Sequence, residues 1–260
     1  MMSDMNQTEN SLSSSPEDPA PVGTGAFATV TEALESVRWL RGLRRETFEA
    51  LAAQSFLHRV PAGALLFDQA ETPAFMQILL SGAIACLGAR GGQEALIEFV
   101  RPVDFVIPAA GLTSRPYLMR ARVALDAQIV LTPAVAFRAL APADPALAAA
   151  VIAILGAQFR RQVKARKALA LRSAEERVGA YLMALTDGAG RERAPLPESK
   201  QVIATLLGMT RETLSRSFSA MSAYGLRVIG DAVVLSDPDA ARARFPFDPQ
   251  FDADDADLPA

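Results

Sequence analysis

Residues 196–225 read LPESKQVIATLLGMTRETLSRSFSAMSAYG, and their spacing predicts two helices joined by a tight turn and followed by a third. Ser199 can cap the first helix, whose apolar positions Val202, Ile203, Leu206 and Leu207 recur at helical spacing. Gly208 breaks it, because the turn after a helix often needs positive φ, which Gly adopts without a Cβ penalty. Thr210 can cap the second helix, with Leu214, Phe218 and Met221 as its buried stripe. Ala204, Gly208 and Leu214 keep helix-turn-helix spacing: a small residue for close approach, a corner, and an apolar lock. The side chains left pointing outward are Arg211, Glu212, Ser215 and Arg216. Each arginine offers a donor fork matched to guanine O6 and N7, Glu212 can accept from cytosine N4, and Ser215 can approach a thymine methyl. Ser199, Lys200, Thr210 and Thr213 sit where phosphate contacts would fix register, although capping or solvation accounts for them equally well. A helical hairpin with a solvated charged face would have the same spacing.

The whole chain has 260 residues, enough for two modest domains plus tails, and a net charge of −3. Nucleic-acid binding must therefore rest on local placement of Arg and Lys. The single cysteine, Cys86, excludes an internal disulfide and a four-cysteine iron–sulfur cluster within the chain, and fits a reducing cytoplasm. With His58 the only histidine, a Cys/His zinc site is excluded too. The N-terminus has no signal-peptide pattern, and the longest apolar run, residues 145–157, is too short to span a bilayer. The expectation is a soluble cytoplasmic protein with no membrane partner.

GMTRETLSR, with LPESKQVIA upstream, resembles the CRP/FNR family of bacterial transcription regulators, whose recognition helix carries S/T-R-E-T-[VIL]-x-R. Residues 56–137 are short apolar or alternating runs bounded by Gly, Pro and Asp turns, the pattern of a compact antiparallel sheet or barrel. Beside the helix-turn-helix they resemble the family's cyclic-nucleotide-binding β-roll, with landmarks Pro61-Ala62-Gly63, Leu79-x-Ser81-Gly82 and Val103-Asp104-Phe105. The long helical stretch after Asp144-Pro145 carries two apolar stripes, Leu147, Val151, Ile154, Gln158 and Ile152, Leu155, Phe159, so it needs two partners. The resemblance implies that it packs on its own β-roll and on a second copy, with the first stripe assigned to the dimer interface. Arg160, Arg161, Lys164, Arg166 and Lys167 make its second half basic, a solvated face or a source of long-range attraction to DNA. LRVIGDAVVLSD reads as two strands around Gly230-Asp231, the wing of a winged helix.

The expected fold is α+β: an N-terminal antiparallel β-roll (jelly-roll-like), a long dimerisation helix and a C-terminal winged helix-turn-helix. The expected divisions are a disordered tail at 1–25, a sensor roll at 26–140, the dimerisation helix at 141–172, the DNA-binding domain at 173–244 and an acidic disordered tail at 245–260. The resemblance implies a homodimer on a palindromic site, with promoter DNA, RNA polymerase and a small-molecule effector as partners. It also implies that Glu212 and Arg216 read the G·C pair of a TGA core. Arg211 resembles the reader of a TGTGA half-site and Ser215 that of TTGA, so the half-site stays open between the two.

The nucleotide cassette departs from the family. Ile107-Pro108 stands where nucleotide-binding members carry Gly-Glu, and Arg-Ser survives only as Arg115-Pro116. Proline donates no backbone hydrogen bond and no carboxylate is present for a ribose, which argues against cyclic AMP. Phe105, Ile107, Leu112, Arg115, Leu118 and Met119 are the candidate effector-pocket residues, either filled core or the lining for an apolar or haem-like molecule. For haem, His58 and Cys86 are the only strong axial ligands, and both read more simply as a surface histidine and a buried thiol. No catalytic or metal-binding constellation appears, so the chain is read as a non-enzyme. The alternative is a β-barrel ligand- or metal-binding cupin-like protein without DNA binding, which a single histidine disfavours.

Overall fold

The computed structural model describes residues 27–253. The disorder expected at 1–25, and the end of the expected C-terminal tail, lie outside the described residues. Helices α1 (Val30–Ser36) and α2 (Arg45–Gln54), separated by a 3-10 turn at Arg38–Leu40, lead into the sheet. The strands are β1 (Phe56–Val60), β2 (Leu65–Phe67), β3 (Phe75–Arg90), β4 (Gln93–Val100), β5 (Asp104–Phe105) and β6 (Arg120–Pro133), with α3 (Pro108–Thr113) between the last two. Every pairing is antiparallel, in the order β1-β6-β3-β4, with β2 on β6 and β5 on β3.

Asp126 reads as one of the turns that bound the short runs, yet it lies inside one 14-residue strand, β6, paired along the 16-residue β3. The pair bends where its register shifts, between Leu79 and Ile84. Gly82 permits the bend: its φ is +83°, and a Cβ there would stand 2.3 Å from the Asp126 carbonyl oxygen. Inside the roll, Phe67, Leu79, Ile84, Cys86, Val123 and Ile129 form one core. Its Cys86 is fully buried, and burial pushes its thiol up to about 12.

Two further helices close the roll: α4 (Ala134–Leu140), which takes Phe137 out of the expected last strand, and α5 (Pro145–Leu171). Asp144 starts α5 by accepting from Ala146 N at 2.9 Å and also accepts from Arg44 N at 2.9 Å, fixing the helix to the segment before α2. Leu34, Val37, Phe105, Phe137, Leu147 and Val151 then form a second core between helices and sheet. This corrects the dimer assignment. Leu147 and Val151 are buried in their own chain, Ile154 packs against the same core, and Gln158 donates to Asp104 Oδ1 and the Phe105 carbonyl, both at 3.0 Å. Of the second stripe, Ile152 and Phe159 are each 70% exposed and Val163 continues them, whereas Leu155 packs beside Ile154 against the core. By length and composition α5 could cross a membrane, contrary to the reading of its apolar run alone. Its inner face, however, is packed on its own roll.

The C-terminal unit comprises α6 (Ala174–Leu185), β7 (Arg193–Pro195), α7 (Lys200–Leu206), α8 (Arg211–Met221), β8 (Leu226–Ile229), β9 (Ala232–Leu235) and α9 (Pro238–Arg244). Only a 3-10 turn, Ser222–Tyr224, follows α8, in place of a third helix. The wing β8–β9 forms as expected, and β7 adds a third strand on β9. Its Ala194 is buried, an anchor too short to show as a period-two pattern.

The tail expected to be disordered from residue 245 is instead ordered as far as residue 253. Phe245 is buried against Gly179, where a Cβ would stand 2.3 Å from the ring, and meets Tyr224 edge-on at 5.4 Å. Beyond it α10 (Pro249–Asp252) returns to α5. Composition suggested disorder, but Phe245 and Phe251 supply the apolar anchors that such segments usually lack.

Leu147→Ala should cost about 2–5 kcal/mol of roll stability in chemical denaturation, because the vacated volume lies between packed helices and sheet. Ile152→Ala, on the outer stripe, should leave the unfolding of the isolated protomer within about 0.5 kcal/mol of the parent.

Candidate nucleic-acid interface

The hairpin α7–α8 is held from four directions. Ser199 accepts from Val202 N at 3.4 Å and Thr210 from Thr213 N at 3.2 Å, so both expected caps form. Gly208 makes the corner at φ +62°, with Met209 N donating to the Ala204 carbonyl at 2.9 Å. Ile203, Ala204, Leu214, Phe218 and Met221 join Val178 and Leu182 of α6 in one core. From α6, Arg177 donates through Nε to the Leu207 carbonyl at 2.8 Å and through a terminal nitrogen to the Arg172 carbonyl at 2.6 Å. Arg177 therefore ties the corner of the hairpin to the end of α5, a long-range role that local helical spacing does not reveal.

With that core formed, the outer face of α8 presents Arg211, Glu212, Ser215 and Arg216, all exposed. Arg216 leans back toward Thr213, donating to Oγ1 at 3.4 Å, and Thr213 shares its hydroxyl with Thr210 at 3.0 Å. Ser199, Lys200 and Thr210 are exposed and Thr213 half-exposed around the helix N-termini, where aligned N–H groups favour anions. Lys200 Nζ lies 5.9 Å from the centre of the Phe218 ring, its stem covering apolar surface while the ammonium stays in solvent. Caps and one weak contact serve folding; among the described residues the four outward side chains of α8 hold nothing in the fold beyond that contact. A convex helix with two guanidinium forks and a carboxylate suits the major groove in width and donor–acceptor chemistry.

One residue of the hairpin also meets the roll. α7 lies against β4, where Arg101 and Glu198 pair at 3.3 Å, the glutamate side chain only 8% exposed. Burial pushes the Glu198 carboxyl above its ordinary value, against the opposing pull of Arg101.

The candidate effector residues do not come together. Phe105 stacks on Trp39 at 4.8 Å and belongs with Leu112 to the core between helices and sheet. Ile107 and Met119 border the separate core inside the roll, Leu118 is 82% exposed and Arg115 is exposed. Met76 Sδ occupies the space beside Gly111 of α3, 2.4 Å from where a Cβ would stand, and Arg138 donates to the Gly111 carbonyl at 2.6 Å. Pro108 takes the first position of α3, so the cassette offers neither the N–H nor the carboxylate a cyclic nucleotide requires. The six residues do not fit that ligand: they divide between filled core and surface. The apolar choice of side chains was legible, but periodicity does not say which side of a sheet each one covers. His58 is exposed on β1, and among the described residues no three His, Cys, Asp or Glu side chains cluster as metal ligands.

A family model for the Crp-like helix-turn-helix domain matches residues 176–243, the segment holding α6, the hairpin and the wing. The nitrogen fixation regulation protein FixK of Azorhizobium caulinodans is 28% identical over 187 residues, 68% of this chain and 74% of that protein. The transcriptional activator protein FnrA of Stutzerimonas stutzeri is 25% identical over 170 residues, covering 63% and 69%. The solved structure of FixK2 from Bradyrhizobium japonicum superposes with a TM-score of 0.63 at 22% identity, over 75% of this chain and 98% of that one, a likeness of fold.

Glu198→Gln isolates the buried carboxylate. Because its folded-state pKa is raised, the group favours the folded protein below the ordinary glutamate value of 4.5, and that contribution is lost as pH rises through the raised value. The amide variant should therefore melt higher than the parent at pH 7.5, with the difference closing as the pH falls toward 4.5. Melting curves across that range check it, and a variant that melts lower at pH 7.5 would show that the Arg101 pairing outweighs burial.

Proposed function

We propose that the chain is a DNA-binding transcription regulator of CRP/FNR type and works as a homodimer on a palindromic site of TTGA or TGTGA type. In this reading α8 lies in the major groove, with Arg216 and Glu212 on the G·C pair of the TGA core and Arg211 and Ser215 on the outer positions. Ser199, Lys200, Thr210 and Thr213 hold the flanking phosphates and set register without reading sequence. The carrying observation is the outward set Arg211, Glu212, Ser215 and Arg216 on a helix whose opposite face is wholly used by the core.

The second copy is supported by the outer stripe of α5. Ile152, Phe159 and Val163 recur at 7- and 4-residue intervals on the face turned away from the roll, with Gly156 between them leaving room for close approach. Two-fold symmetry in the protein then matches two-fold symmetry in the site, with half-sites about one helical turn apart. The complex acts in the cytoplasm, on promoter DNA and alongside RNA polymerase.

Signal input is assigned to the roll. The supporting contact is Arg101–Glu198, which makes β4 of the roll a direct neighbour of the hairpin, so a shift in one is felt by the other. The cassette's proline and filled interior favour an input other than a cyclic nucleotide.

Selection of bound sequences from random DNA tests the reading: a palindrome with TGA cores is expected, and enrichment without two-fold symmetry would overturn it. On the selected site, Arg216→Ala should weaken binding by about 1–3 kcal/mol and relax discrimination at one base pair, measured by anisotropy titration against single-base variants. Ile152→Asp should yield a folded monomer in sedimentation that has lost tight palindrome binding.

A further inference from the structure

The winged-helix unit is tethered to α5 twice. Covalently it hangs from Arg172, which leaves helical geometry at φ −107°, ψ 138°, with Ser173 capping α6 immediately after. Two extended residues, Arg172 and Ser173, between two helices leave rotation about that point to be limited by other contacts. The second tether comes from the other end of the unit. After Phe245 the chain turns back and α10 docks on the last two turns of α5. Asp252 receives both terminal nitrogens of Arg172, at 2.6 and 2.8 Å, each side chain 16% exposed. Phe251 lies under two cations, Arg172 and Lys167, each 4.4 Å from its ring centre. Lys164 donates to the Ala253 carbonyl at 2.7 Å and Lys167 to the Gln250 carbonyl at 3.4 Å. Asp248 caps α10 and its own N–H bonds Asp252 Oδ2 at 2.9 Å, so the carboxylate that grips Arg172 is itself held in place.

Because Arg172 is the hinge residue, and its carbonyl also receives Arg177, the ion pair acts on the joint itself. We propose that the strap of residues 248–253 is a positioning device for DNA recognition, in which Asp252, gripping Arg172, sets the angle of each winged-helix unit on α5. That angle fixes the span between the two recognition helices. The inference rests on the two-headed reading above. A dimer gains from its second head only if both α8 helices meet their grooves at the same time, so freedom at the hinge lowers the effective concentration of the second head without touching the first. Asp252 and Phe251 are thus specificity determinants for half-site spacing, although neither approaches the base-reading face.

The test compares full-length protein on two duplexes, the selected palindrome and one half-site flanked by random sequence, by fluorescence anisotropy. For Asp252→Asn and for Phe251→Ala, palindrome affinity should fall about tenfold while half-site affinity stays within about twofold. Tolerance to half-sites moved apart or together by one base pair should widen. Asp252→Glu, which can still grip the guanidinium, should recover most of the palindrome affinity. Equal losses on both duplexes would assign the strap to mere folding of the winged helix and overturn the inference, as would no loss on either. If the parent protein itself binds palindrome and half-site alike, the two-headed reading fails and this inference falls with it. A parent that prefers the palindrome beside variants that do so equally overturns the strap alone.

Discussion

A 27-residue helix with two apolar faces must find two partners, and everything else here is arranged around how α5 meets that demand. Its inner face enters the core that Phe105, Phe137 and the N-terminal helices build on the sheet. Asp144 at its start bonds the chain before α2, and Arg161 and Gln158 midway bond Asp104 of the roll. Arg172 at its end carries the winged helix. One rigid element thus touches roll, hinge and strap in succession. Displacement at any of them has to be accommodated along its length, because a packed helix moves as a body rather than bending residue by residue.

The basic second half of α5 shows how sequence and structure assign charge differently. Five cations between residues 160 and 167 look like a polyelectrolyte face. In the fold, Arg161 meets Asp104 and Glu98, while Lys164 and Lys167 serve the strap. Each of these groups is used to hold an element to the helix, which leaves little of the run for attraction to DNA. Glu98 illustrates the accompanying cost: burial on β4 raises its carboxyl, with Arg161 pulling the other way.

The helix-turn-helix was legible because its information is local. Ser199, Gly208, Thr210 and the 203–204–214–218 core lie within twenty-odd residues, and each carries out the task its type and spacing suggest. The roll was legible as a class but not strand by strand, since Asp126 reads as a boundary between two runs and in fact lies within a continuous β6. Two faces on α5 could be read, but not which one turns inward, because periodicity carries no information about what lies opposite. The strap was least legible. Its Asp and Pro content resembles a solvated tail, and its order depends on Arg172 and Lys167, some eighty residues away along the chain. The effector residues failed for a related reason: neighbours in sequence near Phe105 and Ile107 face opposite cores.

These observations reconcile an acidic protein with a DNA-reading surface. With a net charge of −3 the chain as a whole does not attract a polyanion, and the acidic groups at Asp104, Glu98 and Asp252 offset the basic helix beside them. Exposed and cationic around the hairpin are Lys200, Arg211 and Arg216, with Arg193 and Arg227 on the wing sheet. A head with so few phosphate partners binds weakly alone, because each released counterion contributes only a modest share of affinity. In the proposed dimer, tight binding comes from two heads engaged together, and the geometry between them is the limiting quantity. A hinge held by both Arg177 and the strap suits that proposal: what the surface lacks in charge would be made up by restricting where a second head can be.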